Sequence, residues 1–313
     1  MGKVNACMDQ ALGSDIQLLS SINRSLREHP GKMMRPMLSL LCAGAVGRLT
    51  EDTYHFAAAT ELLHNATLLH DDVVDGATER RGLPTVYSLL GGSAAVLIGD
   101  FWLVQCLQLV LGSSSPQANR VLRIFADTLG HLAEGEILQM QKAREADTTQ
   151  EDYIRIIYGK TASLFESAAH TAAISVGAGE ETYQALGDYA RALGIAFQIK
   201  DDIFDYEEDA EIGKPVGIDL LEQKITQPLL CALEAAGAAE QARVRSLVKD
   251  MPDHPENAEQ VRAFVKEHDG VQKAAQTMDA YVDRAISCLD ILPETKEKTY
   301  LVRMARFVGQ RDK

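Results

Sequence analysis

Two acidic clusters of one pattern, Asp71-Asp72-Val-Val-Asp75 and Asp201-Asp202-Ile-Phe-Asp205, stand 130 residues apart, and each ends an apolar run that reads as helix. Ala66-Thr67-Leu68-Leu69 leads into the first and Ile195-Ala196-Phe197-Gln198-Ile199 into the second. On a helix the first and fifth residues share a face, so Asp71 and Asp75 point one way, as do Asp201 and Asp205 on theirs. Like charges at that spacing repel unless something positive arrives. The pattern predicts two helices buried along most of their length, with acidic turns opening on a cavity where facing carboxylate walls hold cations around a polyphosphate. No cysteine or paired histidine lies beside the clusters, so hard oxygen donors favour Mg²⁺ over zinc or iron, with waters and substrate phosphates completing the shell. The competing reading is a pair of solvated helix faces.

With 313 residues, 46% of them apolar, the chain can bury a large core. Leucine and alanine runs, few aromatics and little two-residue alternation predict an all-α chain. The formal charge of -14 argues against a nucleic-acid partner. No apolar run reaches transmembrane length without interruption, and the first residues lack a hydrophobic signal core, so a cytoplasmic protein with no permanent membrane insertion is expected. Cys7, Cys42, Cys106, Cys231 and Cys288 show no pair spacing, which suits a reducing compartment.

Periodicity and breakers divide the chain into an amphipathic segment over 10–28, a helix opened by Pro36, a helix over 52–75, and a loop over 76–84. Further helices follow Gly91-Gly92 and the loop over 112–116. One helix is expected over 149–175 with Gly159-Lys160-Thr161 inside it, and another over 181–207. A loop covers 212–219, and 250–256 is a surface connection in a helical remainder. No linker is long enough to separate domains, so one helical domain over 1–313 is expected.

A diphosphate between the acidic walls calls for cations, and Lys32, Arg35, Arg80, Arg81, Lys160, Lys200, Lys214 and Lys224 lie in or near expected loops. Arg80-Arg81 follows the first cluster by five residues, in a loop able to fold back over it. His64 stands two helical turns before Asp71 on a similar face. His70 reads as a support for the acidic pair. A metal-dependent phosphohydrolase needs further histidine ligands, and His131 and His170 have no such context.

The run from Glu61 through His64 and His70 to Asp75, with Arg80-Arg81-Gly82, resembles the first aspartate-rich region of trans-isoprenyl diphosphate synthases. Phe197-Gln198 through Asp205, followed by Gly213-Lys214, resembles the second. Gly31-Lys32-Met-Met-Arg35-Pro36, Gly99-Asp100, Glu134-Gly-Glu136 and Lys160-Thr161 fall where that family places its other blocks, and the likeness spans about 20–235. Terpene cyclases usually carry an Asn/Ser/Glu-type second metal motif and squalene-type synthases a different acidic spacing, so neither pattern fits as well.

The resemblance implies an all-α isoprenoid synthase fold, with long antiparallel helices around a central cavity, and a homodimer. Asp71, Asp75 and Asp201 would bind about three Mg²⁺ ions bridging an allylic diphosphate, with Asp72, Asp202 and Asp205 supporting them directly or through water. Arg80, Lys160, Lys214 and Lys224 would hold that diphosphate, and Thr161 and Gln198 would line the reaction centre. Gly31, Lys32, Arg35, His64 and Arg81 would hold isopentenyl diphosphate. In the family reaction the allylic substrate loses diphosphate, C4 of isopentenyl diphosphate attacks the cation, and a proton leaves. Gln223 and Gln227 depart from the family pattern and put local loop shape in doubt; whether Arg311 or Lys313 folds over the site is left open.

Product length depends on what lies below Asp71. Thr67 and Ala66 sit about 6 and 7.5 Å down the helix. Short-chain members place an aromatic floor there, whereas both residues here are small, which resembles the enzymes that make quinone side chains and predicts a product of C30 or longer. Phe101, Trp102 or Met140 are the alternative floors, and Trp102 is large enough to end a tunnel if it points inward. Rival readings are a short-chain farnesyl or geranylgeranyl synthase and a non-catalytic partner subunit, which loss of aspartates or phosphate-binding lysines would mark; none is lost.

Overall fold

The protein is described by a computed structural model covering residues 1–80, 82–207 and 217–311. Lys214 and Arg81 lie outside the described residues. Those described are helical apart from connections and one short hairpin, as the all-α reading expects. By contact the chain forms two compact units.

The first unit comprises 1–126, 167–186 and 292–298. It opens with α1 (Gly2–Ala11), α2 (Gln17–Glu28), α3 (Met34–Val46) and α4 (Glu51–Val74). The segment expected over 10–28 thus holds the last residues of α1, a turn and α2, because Gly13 and Ser14, whose hydroxyl accepts from the Ile16 amide at 3.2 Å, turn the chain there. α4 packs against α1, α3 and α6 (Gly92–Leu111), and its alanines and leucines from Phe56 to Ala66 are buried nearly all round. A reciprocal Thr50–Thr53 capping box starts it, with Glu51 and Asp52 favourably placed in the first turn. Its end is equally defined. Ala77 and Gly76 donate to the carbonyls of Asp72 and Val73 at 2.9 and 3.4 Å, and Gly76 takes the left-handed φ of +61° that this motif requires.

Between α4 and α6 come strands β1 (Glu79–Arg80) and β2 (Leu83–Pro84), pairing Arg80 with Leu83, and α5 (Val86–Leu90). α6 has 20 residues, and an 18-residue window of it has a mean hydropathy of 1.8, long and apolar enough to cross a membrane by length and composition alone. The sequence reading that no uninterrupted run has this length holds through Asp100, Gln105 and Gln108, which interrupt it. Trp102 is fully buried and its indole donates to Asn23 on α2 at 2.9 Å.

The second unit comprises 127–166, 187–291 and 299–313. It takes the latter part of α7 (Ala118–Glu145), then α8 (Gln150–Ile157), a π-helical turn (Tyr158–Ala162) and the start of α9 (Ser163–Ser175). The helix expected over 149–175 is therefore interrupted, and Gly159, Lys160 and Thr161 occupy the interruption. Close approach explains it: a Cβ on Gly159 would lie 2.5 Å from the His131 carbonyl and 3.2 Å from Gly135 Cα on α7. Gly159→Ala is expected to cost about 1–3 kcal/mol through overpacking. Gly130→Ala, also on α7 but with open space at its Cβ, is expected to stabilise by about 0.5–1 kcal/mol. Thermal denaturation of the two variants should move in opposite directions.

The remainder is α10 (Glu180–Phe204), α11 (Ile218–Leu221), α12 (Gln227–Ala235), α13 (Ala238–Lys249), α14 (Asn257–Glu267), α15 (Gly270–Cys288) and α16 (Lys296–Gln310). α12 packs on α14 and α15. Arg245 ties α13 to the loop before α8 by donating to the carbonyls of Ala146 and Thr148, both at 3.0 Å.

Candidate active site

Both acidic clusters lie at the C-terminal ends of their helices, α4 and α10, and neither helix has a basic residue in its last turn. The negative end of a helix dipole opposes carboxylates there by about 0.3–1 kcal/mol. The arrangement therefore favours an incoming cation over an empty, solvated face.

In the first unit Asp71 is half-buried and Asp75 exposed, while Asp72 turns inward, 4% exposed. Asp72 Oδ1 accepts from Arg80 Nε at 2.7 Å. The hairpin that carries Arg80 is pinned by Thr85, whose hydroxyl donates to the Ala77 carbonyl at 2.6 Å and caps α5 by accepting from the Ser88 amide at 3.0 Å. His70 supports the cluster from behind: its Nε2 lies 3.3 Å from both the Val96 carbonyl and Asp100 Oδ1. Gly99 makes this possible, since a Cβ there would sit 2.4 Å from that nitrogen. A mainly apolar cavity of about 440 Å³ runs from Leu26, His29 and Pro30 past Asn65 and Leu68 to Asp72, Arg80 and Leu89. Gly31 and Lys32 precede α3 and Arg35 lies in its first turn, with Lys32 exposed and Arg35 half-buried. His64 accepts the Thr67 hydroxyl at its carbonyl, 2.8 Å away.

In the second unit a polar chain runs across α8, the π turn and α10. Thr161 donates to Gln198 Oε1 at 2.8 Å, Gln198 Nε2 donates to Asp202 Oδ1 at 3.0 Å, and the Tyr153 hydroxyl donates to Asp202 Oδ2 at 2.6 Å. Burial, with the Asp219 carboxylate adding to it, pushes Asp202 up to about 8 in the metal-free protein, against the pull of these hydrogen bonds. Burial and then Asp205 likewise push Asp219 up to about 6. Lys160 is paired with Glu136 at 2.8 Å and with Gln139 at 3.0 Å. Lys160, Gln198, Asp202, Asp219, Lys224 and Thr226 line one cavity of about 150 Å³.

Asp205 accepts from the Ile218 and Asp219 amides at 3.0 and 3.1 Å and so caps α11. Asp201 is the open member, 40% exposed, and it meets Arg311 at 2.5 Å. That guanidinium is buried, donates to the Phe197 carbonyl at 2.9 Å and lies 4.0 Å from the Phe197 ring. Lys200 is not at the carboxylates; it lies over the Phe204 ring at 4.6 Å. Lys224 pairs with Glu222.

Tyr153, Gln139 and Asp219 escaped the sequence reading, and the question it left open for Arg311 is answered by the Asp201 contact. Of the residues considered for a product floor, Trp102 is fully buried and engaged with Asn23, Phe101 is half-buried and Met140 is 46% exposed.

Among the described residues no three His, Cys, Asp or Glu side chains converge as a ready-made metal cage. The donors present still fit Mg²⁺. Asp71, Asp75 and Asp201 are hard carboxylates that reach solvent, Asp201 while paired with Arg311, and Mg²⁺ is commonly held by one or two carboxylates plus substrate phosphates and waters.

The family model for polyprenyl synthetase matches residues 16–267. Octaprenyl diphosphate synthase of Escherichia coli is 38% identical over 314 residues, covering 100% of this chain and 96% of that protein. The crystal structure of a decaprenyl diphosphate synthase from Rhodobacter capsulatus superposes with a TM-score of 0.93 at 37% identity, over 100% of this chain and 96% of that one. A polyprenyl synthase from Caulobacter crescentus, complexed with calcium and isoprenyl diphosphate, gives 0.90 at 32% identity over 99% and 94%. With an all-α fold and acidic helix ends of this kind, the chain belongs to the polyprenyl synthetase family and is a trans-prenyltransferase of the isoprenoid synthase fold.

Proposed function

We propose that the protein condenses isopentenyl diphosphate with an allylic diphosphate, releasing diphosphate, to build an all-trans polyprenyl diphosphate of C30 or longer for quinone side chains. The observation that carries the reaction is the pair of open carboxylate faces at the C-terminal ends of α4 and α10, each beside a cationic side chain. The long product is supported by the small Ala66 and Thr67 and by the likeness to the octaprenyl and decaprenyl synthases.

Asp71, Asp75 and Asp201 are the carboxylates assigned to Mg²⁺, which supplies charge stabilisation of the departing diphosphate. Arg80, Lys160, Lys214 and Lys224 are assigned to the allylic diphosphate. Their charges stabilise the leaving group more than the bound reactant, which lowers the barrier to ionisation. Gly31, Lys32, Arg35, His64 and Arg81 are assigned to isopentenyl diphosphate. Thr161 and Gln198 present fixed polar atoms to the reacting centre, and the apolar helix walls keep the allylic cation from water.

The working unit in this proposal is a cytoplasmic homodimer without permanent membrane insertion. α6 supports the dimer: Leu97, Val104 and Leu111 recur every seven residues and are 67%, 48% and 63% exposed, a seam suited to a second copy.

Purified protein is incubated with Mg²⁺, labelled isopentenyl diphosphate and separate C5, C10, C15 and C20 primers. Chain extension to C30 or beyond is expected. No extension with any primer refutes the synthase, and a ladder that stops at C15 or C20 refutes the long product. Arg311→Met is expected to lower thermal stability by about 1–2 kcal/mol without metal, by stranding Asp201. Mg²⁺ should shrink that deficit by supplying the missing charge, a difference that thermal denaturation with and without Mg²⁺ reads directly.

A further inference from the structure

Along α10, Arg191, Gly194 and Gln198 stand at helical spacing on one side and form a ladder against the π turn and the start of α9. Gln198 accepts from Thr161, and a Cβ on Gly194 would lie 2.6 Å from Ala162 Cα, so no side chain fits between the two backbones. Arg191 makes the third rung, donating from Nε and Nη2 to the two carboxylate oxygens of Glu166 at 3.0 and 2.5 Å. Its guanidinium also lies 5.8 Å from the centre of the Tyr158 ring, which packs edge-on to His131 of α7 at 5.3 Å. Burial, and then the Glu166 carboxylate, pushes the Tyr158 hydroxyl up to about 12, so it stays protonated beside that carboxylate.

These contacts follow from the π turn. The Ser163 amide donates to the Tyr158 carbonyl, five residues back, which fits one extra residue into the helix. At about 100° per residue, Tyr158 and Glu166 would stand about 80° apart on an unbroken α-helix, whereas with one residue absorbed by the turn they come within about 20°. The turn thus brings both onto one guanidinium. The same extra residue decides where the neighbouring side chains point, Lys160 to Glu136 and Gln139 on α7 and Thr161 to Gln198 on α10.

We infer that Tyr158, Glu166 and Arg191 are positioning residues: they form a bracket that holds the π turn in register and so aims Lys160 and Thr161 at the allylic substrate. The inference rests on the proposed synthase reading, which assigns Lys160 and Thr161 to that substrate. Arg191 stands about 10 Å before Gln198 along α10, so the bracket acts through the turn. Without it the extra residue is no longer pinned at Tyr158–Ala162, and relaxation of the turn to α-helix swings Lys160 and Thr161 by up to about 100° relative to α9.

The test compares Arg191→Met, Arg191→Lys, Tyr158→Phe and the paired change Glu166→Leu with Arg191→Met, all in the full chain. The pair strands no buried charge and carries the test if Arg191→Met does not fold. In steady-state kinetics with Mg²⁺, Arg191→Met and the pair are expected to raise KM for the allylic diphosphate about tenfold, and Tyr158→Phe about threefold, while KM for isopentenyl diphosphate stays within about twofold. A loss of stability alone would reduce the amount of active enzyme, and hence kcat, and leave both KM values in place. On a Lys160→Met background the same changes should add less than about twofold, because bracket and lysine act as one unit. Arg191→Lys keeps the charge without the fork and is expected to fall between wild type and Arg191→Met. Amide hydrogen exchange over 158–163 should be about fivefold faster or more in Arg191→Met and in the pair. An unchanged KM for the allylic diphosphate in these variants overturns the inference, as does unchanged exchange over the turn. A wild-type protein that extends no primer would instead bring down the synthase reading, while the exchange measurement still reports on the bracket, so the two failures are distinct.

Discussion

Asp71→Ala is expected to lower kcat by about 10³-fold or more, equivalent to about 4 kcal/mol of lost transition-state stabilisation, with the fold intact. The reasoning starts from the helix end. α4 finishes in three carboxylates where its own dipole is negative, with a Gly76 cap that fixes the chain direction and no cation in the last turn. Such a turn is costly to the folded protein, so removing one charge should leave thermal stability unchanged or raise it slightly. A variant that is as stable as wild type, or more so, yet nearly inactive has lost function and not structure. Steady-state kinetics alongside thermal denaturation separate the two, and near-normal turnover would refute the metal role assigned to Asp71.

Much of this was legible because it depends on local pattern. The bounds of α4 were readable from its apolar period and its glycine stop, and the three-glycine-or-proline segment after Asp205 marked the end of α10. What escaped depends on residues far apart in sequence. The π turn at Tyr158–Ala162 arises where Gly159 meets the α7 backbone, and no feature of that stretch alone announces it. Asp205 reads as half of an acidic pair with Asp201, yet its carboxylate takes the amides of residues 13 and 14 positions later. Arg311 stands too near the end of the sequence for local pattern to say whether it folds back, and it is buried against Asp201. The tertiary partner decided the role in each case, and helical spacing is blind to that partner.

Product length should respond differently to the two small residues below Asp71. Ala66 is 1% exposed, and its carbonyl would lie only 3.2 Å from a Cβ on Gly99, so α4 and α6 are tightly packed where it sits. Thr67 is about 100° further round the helix and half-buried, with its hydroxyl turned back onto the His64 carbonyl. A phenylalanine at Thr67 therefore has space to enter and is expected to shorten the product by several isoprene units while sparing the first condensation. At Ala66 the same ring should also shorten the product, but at a cost of about 1–3 kcal/mol in stability from overpacking against α6. Trp102, the largest of the alternative floors, is fully buried on α6 with its indole donating to Asn23. Product analysis from a C15 primer, combined with thermal melts of both variants, reads the outcome. An unchanged product distribution in both would remove this turn of α4 from the path of the growing chain. Shortening by Thr67→Phe at wild-type stability would place that path on the open side of α4, one residue round from the face that packs on α6.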